Sequence, residues 1–134
     1  MQWMKKTILL VDDDASVRES VHKVLQGAGY GVVLAAGGLE AVARIQAQPV
    51  DLVLLDIGLP NQNGLEACRH LSREHANVPI IVITGQTGQL KSASAAGAVA
   101  LMEKPLDAHR LLGVIQELLL KPKPSDPLPS NAAP

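Results

Sequence analysis

The sequence has 134 residues, enough for one domain of ordinary size and too few for a kinase domain joined to a separate DNA-binding output. Hydrophobic residues make up 47% and charged residues 19%, so the chain can bury a core; with no Phe, one Trp and one Tyr, that core is aliphatic and no aromatic platform for stacking bases can be assembled. Twelve Lys and Arg stand against 13 Asp and Glu for a formal net charge of -1, which excludes the basic footprint of a polyanion binder and direct nucleic-acid binding with it.

In chain order, the first apolar run, residues 6–11, reads as a short strand ended by Asp12, Asp13 and Asp14. Lys5 and Lys6 ahead of Ile8, Leu9, Leu10 and Val11 mimic a signal peptide, but so short a run neither exports a protein nor spans a membrane. A cytoplasmic location is therefore expected. Val17, Val21, Val24 and Leu25 fall at i, i+4, i+7 and i+8, the stripe of a helix opened by a capping box at Ser16 and Glu19 and stopped by Gly27 and Gly29. Gly27, Gly29 and Gly31 mimic a dinucleotide-binding fingerprint, yet they follow a helix rather than a strand and read as its end. A second strand over 31–35 leads to a helix carrying Leu39, Val42 and Ile45, which Pro49 closes.

The run 52–55 predicts a third strand, with Asp56 at its end. Leu65, Cys68 and Leu71 mark the next helix, with Asn63 at its N-cap and Glu66 three residues on. Cys68 is the only cysteine, so an intramolecular disulfide is excluded and the residue reads as a small buried hydrophobe. Residues 80–84 predict a fourth strand ending at Thr84, residues 90–96 a short helix rich in Ala and Ser, and residues 98–102 a fifth strand just before Lys104. Asp107 opens a last helix with Leu111, Leu112, Ile115, Leu118 and Leu119, which Pro122 ends. His22, His70, His75 and His109 lack metal-ligand spacing and read as surface residues. Five of the nine prolines lie in the last fourteen residues, so the folded domain is expected over 1–120 and a flexible Pro-rich tail or truncated linker over 121–134.

Short aliphatic runs alternating with helical stripes predict a doubly wound (βα)5 domain of the α/β class, with a parallel sheet covered on both faces. Ligand sites in such sheets lie at the carboxyl ends of the strands. Those ends carry Asp12 and Asp13, Asp56, Thr84 and Lys104. Taken singly, each has an ordinary reading: an Asp after a strand is most often a turn former or helix cap, as Asp14 is expected to be beside Ser16. Independent turn residues would place all of them at separate strand ends only by coincidence. Three converging carboxylates repel one another unless something positive sits among them, and oxygen ligands without His or Cys suit a hard divalent ion, Mg2+ or Mn2+.

With these pieces in place the sequence resembles the receiver domain of two-component response regulators. The resemblance rests on Ile8-Leu9-Leu10-Val11-Asp12-Asp13-Asp14, on Asp51-Leu52-Val53-Leu54-Leu55-Asp56-Ile57-Gly58-Leu59-Pro60 with Gly64 beyond it, on Val82-Ile83-Thr84-Gly85 and on Glu103-Lys104-Pro105. It implies a flavodoxin-like fold and a phosphoacceptor at Asp56, served by the phosphohistidine of a histidine kinase or histidine phosphotransfer protein. It also implies Asp13 as a direct Mg2+ ligand, Asp12 as one acting mainly through water, and Asp56 with the Gly58 backbone carbonyl completing the set. Lys104 and the Thr84 hydroxyl would bind phosphoryl oxygens, Gly85 would leave room for the incoming group, and the peptide before Pro105 would be cis. Self-phosphorylation and self-dephosphorylation would be the only catalysis, an output partner would read the change, and the chain would act as a monomer or weak dimer without membrane contact. The chain departs from the family at Leu101, where Tyr or Phe is common at this switch position, and in a segment between Gly85 and Gly97 that is about two residues short. Two other readings compete: a small Mg2+-dependent phosphatase or phosphotransferase with an Asp nucleophile, and a decayed receiver acting as a binding module. The first usually needs a second Asp two residues after the nucleophile, where this chain has Gly58; the presence of all five site residues argues against the second.

Overall fold

Strands that are apolar almost throughout need cover on both faces, and the alternation of strand and helix supplies it. The computed structural model describes residues 5–58 and 64–120. In chain order these form β1 (Thr7–Val11), α1 (Ala15–Gly27), β2 (Gly31–Ala35), α2 (Gly38–Ala47), β3 (Leu52–Asp56), α3 (Gly64–Glu74), β4 (Ile80–Thr84), α4 (Leu90–Ala95), β5 (Ala100–Glu103) and α5 (Ala108–Leu120). The five strands make one parallel sheet in the order β2-β1-β3-β4-β5, the doubly wound arrangement expected.

Successive residues of a strand face opposite sides of the sheet, and the two cores follow that alternation. Leu9, Val11, Val53, Leu55 and Val82 pack with Ala41 and Ile45 of α2, Cys68 and Leu71 of α3 and Ala93 of α4. Ile8, Leu10, Leu52, Leu54, Ile81 and Ile83 pack with Val21 and Leu25 of α1 and Leu111 and Ile115 of α5. The sheet is thus a sandwich filling between three helices and two. After β1 the chain turns to one side for β2 and then returns past β1 to the other side for β3. This reversal opens a crevice beyond the carboxyl ends of β1 and β3, the place where sheets of this kind bind ligands.

Local signals decide the boundaries. Asp14, not Ser16, caps α1: its Oδ1 accepts from the backbone N–H of Ser16 at 2.9 Å and of Val17 at 3.1 Å, and Ser16 lies inside the first turn. The expected Ser16 and Glu19 capping box is therefore not formed. Asp107 caps α5 in the same way, accepting from His109 and Arg110. The stripe of α2 is also shifted, because Ala41 and Ile45 point inward and Leu39, two residues and about 200° around the helix from Ala41, is 92% exposed. β5 begins two residues later than expected, since the Ala98 N–H closes the end of α4 on the Ala93 carbonyl at 3.0 Å and cannot join the ladder. His22 and His75 are half-buried rather than on the surface, and the Nε2 of His75 is enclosed without a hydrogen-bond partner. The Asn63 cap, the Pro122 stop and the tail over 121–134 lie outside the described residues. No helix among the described residues is long and apolar enough to cross a membrane.

Candidate functional site

Parallel register brings the functional side chains to one edge. Val11 pairs with Leu55 across β1 and β3, Asp56 with Ile83 across β3 and β4, and Thr84 with Glu103 across β4 and β5. Asp12, Asp56, Thr84 and Lys104 therefore stand at or one residue past neighbouring strand ends. Asp12 and Asp56 are each 3% exposed and Thr84 is 1% exposed, whereas Asp13 faces solvent.

Carboxylates at that depth need partners, and each oxygen of Asp56 has one. Its Oδ2 accepts from Lys104 Nζ at 2.7 Å and its Oδ1 from the Gly58 N–H at 2.8 Å. Lys104 Nζ also lies 3.8 Å from Asp12 Oδ2, so a single ammonium sits between two buried acids. The Lys104 backbone N–H donates to the Thr84 carbonyl at 2.8 Å, which anchors the start of the cis Lys104–Pro105 step to the end of β4. With Val17, Val21, Leu106 and Leu111, Lys104 also walls a groove of about 360 Å3 between α1 and α5. Asp12 Oδ1 accepts from the Asp14 N–H at 2.9 Å. Thr84 Oγ1 accepts from the Gln86 N–H at 3.0 Å, leaving the hydroxyl proton available to a ligand.

The electrostatics follow from burial. Desolvation pushes the Asp12 carboxyl above the ordinary range; the Asp56 charge adds to the rise, while the Asp14 N–H and Lys104 oppose it. Burial works against the Lys104 ammonium, but the hydrogen bond and charge of Asp56, with Asp12 and Asp14, outweigh it and hold the ammonium above its ordinary pKa.

One oxygen from each of Asp12, Asp13 and Asp56 lies within 4.8 Å of the others. Oxygens on opposite sides of an octahedral Mg2+ stand about 4.2 Å apart, twice the metal–oxygen distance of about 2.1 Å. The trio has the donor chemistry and nearly the spacing for such an ion. Glycines keep this corner open. A Cβ at Gly64 would collide with Ile57, so the N-terminus of α3 can lie against the segment after Asp56 only without a side chain there, and a Cβ at Gly58 would crowd Asp56 Oδ1 at 3.2 Å. Nothing lies within 4 Å of a Cβ placed on Gly85, which agrees with open space beside Thr84.

All the expected site residues except Leu101 thus meet at one edge; Leu101 lies in β5, half-buried and packed with the core under α2, α3 and α4. A residue that sequence reading passed over also reaches the edge: Arg18 of α1 donates from Nη1 to the Asp12 backbone carbonyl at 2.6 Å. A single Arg on a helix carries no signal distinguishing it from a solvated surface charge.

Comparison with known proteins agrees with this arrangement. The family model of the response regulator receiver domain matches residues 8–116. The response regulator MprA of Mycobacterium tuberculosis is 37% identical over 131 residues, covering 96% of this chain and 57% of the relative. That of Mycobacterium leprae is 38% identical over 127 residues, covering 93% and 56%. The chain therefore spans somewhat over half the length of these curated relatives. Among solved structures, a CheY-like response regulator receiver domain protein from Methanospirillum hungatei superposes with a TM-score of 0.81 at 34% identity, covering 87% of this chain and 94% of that one. The CheX-CheY-BeF3-Mg2+ complex from Borrelia burgdorferi gives 0.79 at 26% identity, covering 87% and 90%.

Proposed function

The chain belongs to the response regulator receiver domain family, and on that premise we propose that it takes a phosphoryl group onto Asp56 from the phosphohistidine of a histidine kinase or histidine phosphotransfer protein. One observation carries the reading: a buried carboxylate holds an ammonium in a 2.7 Å ion pair and has two further carboxylates with an oxygen within 4.8 Å of its own. In the transfer an Asp56 oxygen forms the bond to phosphorus. The phosphorus–nitrogen bond of the donor breaks, its electron pair stays on the imidazole nitrogen, and an acyl phosphate results.

The residues around Asp56 divide the work. Lys104 exchanges its bond to Asp56 Oδ2 for one to a phosphoryl oxygen, and Thr84 donates its hydroxyl proton to another while still accepting from Gln86. The Gly58 N–H steadies Asp56 Oδ1 as the bond forms. Asp13, Asp56 and the Gly58 carbonyl would hold Mg2+ (or Mn2+) directly and Asp12 through water, the ion supplying the positive charge that lets a dianionic phosphoryl group approach three acids. The relative crystallised with BeF3 and Mg2+ supports this assignment. Self-dephosphorylation is attack of water on the acyl phosphate, restoring the carboxylate and releasing phosphate.

In this reading residues 1–120 form the receiver, 121–134 a tail or linker, and phosphorylation alters affinity for an output partner. A cytoplasmic location, a monomeric or weakly dimeric state and no direct contact with nucleic acid go with it. The phosphatase alternative is disfavoured because its second acid would fall at Gly58, where even a Cβ crowds Asp56.

The test is intact-protein mass spectrometry after incubation with acetyl phosphate and Mg2+. Wild type gains one phosphoryl group and Asp56→Ala gains none. Equal labelling of the variant would overturn the assignment.

A further inference from the structure

The carboxylates of the site are not all held alike. Asp56 belongs to a central strand, but Asp13 lies in the short turn between β1 and α1, exposed to solvent. What orients that turn therefore orients Asp13. Its first tie is the Asp12 N–H, which donates to the Ala35 carbonyl of β2 at 3.1 Å. Its second is Arg18. This residue sits one turn into α1, where its backbone N–H closes the first helical bond on the Asp14 carbonyl at 2.9 Å. From there the side chain turns back, and Nη1 donates to the Asp12 carbonyl at 2.6 Å across a part-buried gap.

The Asp12 carbonyl and the Asp13 N–H belong to one peptide plane, so fixing the carbonyl fixes the plane from which Asp13 projects. Asp12 is thus pinned at both backbone groups, by β2 at its N–H and by Arg18 at its C=O. The Arg18 charge is also felt outside the site. Glu40 at the start of α2 is held below the usual carboxylate range by the Ala36 N–H and Arg44, with a smaller contribution from the Arg18 charge.

We infer that Arg18 is a positioning residue for the cation site: by latching the Asp12 carbonyl it sets the Asp12–Asp13 peptide and so aims the Asp13 carboxylate at the ion. The inference rests on the reading of Asp12, Asp13 and Asp56 as a Mg2+ site. Groups that orient ligands from behind in this way change metal affinity about 10- to 100-fold when removed. The sign of the effect separates this role from simple electrostatics. A positive charge near an acidic site repels a divalent cation, so if only charge mattered, removing Arg18 would tighten Mg2+ binding; loss of the latch weakens it.

The experiment is a Mg2+ titration of the metal-free wild type, Arg18→Met and Arg18→Lys, followed by the amide shifts of Asp13 and Gly58. Arg18→Met keeps the apolar stem, and its midpoint should rise about tenfold or more. Arg18→Lys keeps the charge without the planar fork, so its midpoint should move in the same direction. Asp56 labelling by acetyl phosphate should return to the wild-type rate for both at saturating Mg2+, a change in apparent metal affinity rather than in the chemical step. Should Arg18→Met fail to fold, Arg18→Lys decides by the same criterion. Variant midpoints at or below that of wild type would overturn the positioning role while leaving the Mg2+ site intact, and so would a lower melting temperature with an unmoved midpoint. A wild type indifferent to Mg2+ would overturn both.

Discussion

Lys104 shows how much of the site a single residue type can announce. A lysine one step past a strand is unremarkable until three other strand ends carry Asp and Thr, and the parallel register then leaves it little choice but to meet Asp56, as it does at 2.7 Å. The site was legible for that reason: its residues stand at or just past the ends of apolar runs where the sheet ends. Arg18 was not, because its contact is with a backbone carbonyl and sequence spacing does not encode backbone geometry. Cys68 was legible from its place on the helical stripe, and its environment allows a direct check. It is fully buried in α3, and desolvation pushes its thiol up to about 11. A maleimide or disulfide reagent at pH 8 should therefore modify the folded protein far more slowly than the urea-unfolded chain, followed by mass. The sign for stability follows: with the folded pKa raised, this group's contribution is full below the unfolded value of about 9 and is lost as pH climbs through about 11, so the urea midpoint should fall over that interval. Cys68→Ala should flatten that part of the profile. Rapid labelling of the folded protein at pH 8 would contradict the burial.

At the scale of elements, strands were easier to read than their limits. β3 and β4 are buried along their length, and β1 is from Ile8 on, so they write themselves as aliphatic runs. The start of β5 and the inward face of α2 depart from the sequence reading because Ala98 and Leu39 are as apolar as core residues, while the Ala98 N–H closes α4 and helical phase turns Leu39 outward. β5 also bears on signalling. It is an edge strand paired with β4 alone, and Leu101, in register with Val82, packs on the α2, α3 and α4 side. A leucine has no polar group, so its burial favours neither phosphorylation state through a hydrogen bond. Thr84 and Lys104, by contrast, are joined through their backbones and both face the site. Phosphorylation should accordingly reorganise the loops after β4 and β5 and leave the outer face of β5 nearly unchanged. Beryllofluoride with Mg2+ stands in for the phosphoryl group, and the amide shifts it causes should cluster at Asp56, Thr84 and Lys104. Large shifts across Leu101 and along α5, lost in Thr84→Ala, would show instead that the hydroxyl drives a switch without an aromatic partner.

For the whole molecule, the site is a local weakness of the metal-free fold. Asp12 and Asp56 lie buried side by side with one ammonium between them, and Asp13 adds a third acid at the rim. An ion that binds the folded chain and ignores the unfolded one stabilises by RT ln(1 + [L]/Kd), about 2.7 kcal/mol at a hundredfold excess over Kd. Spread over the melting entropy of a domain this size, on the order of 3–6 °C for each kcal/mol, that is a rise of roughly 8–16 °C at that excess. Mg2+ should therefore raise the melting temperature in a saturable way, by more than matched NaCl. The outcome for Asp13→Ala follows from where Asp13 sits: being exposed, it contributes little repulsion in the metal-free protein, so the variant should melt close to wild type without Mg2+. If Asp13 is the direct ligand proposed above, most of the Mg2+-dependent rise should vanish with its carboxylate. The two proteins would then differ only when the ion is present, which a folding defect could not produce. A wild-type melting temperature unmoved by Mg2+ at any concentration would mean that the three acids, close as they are, do not act as one site.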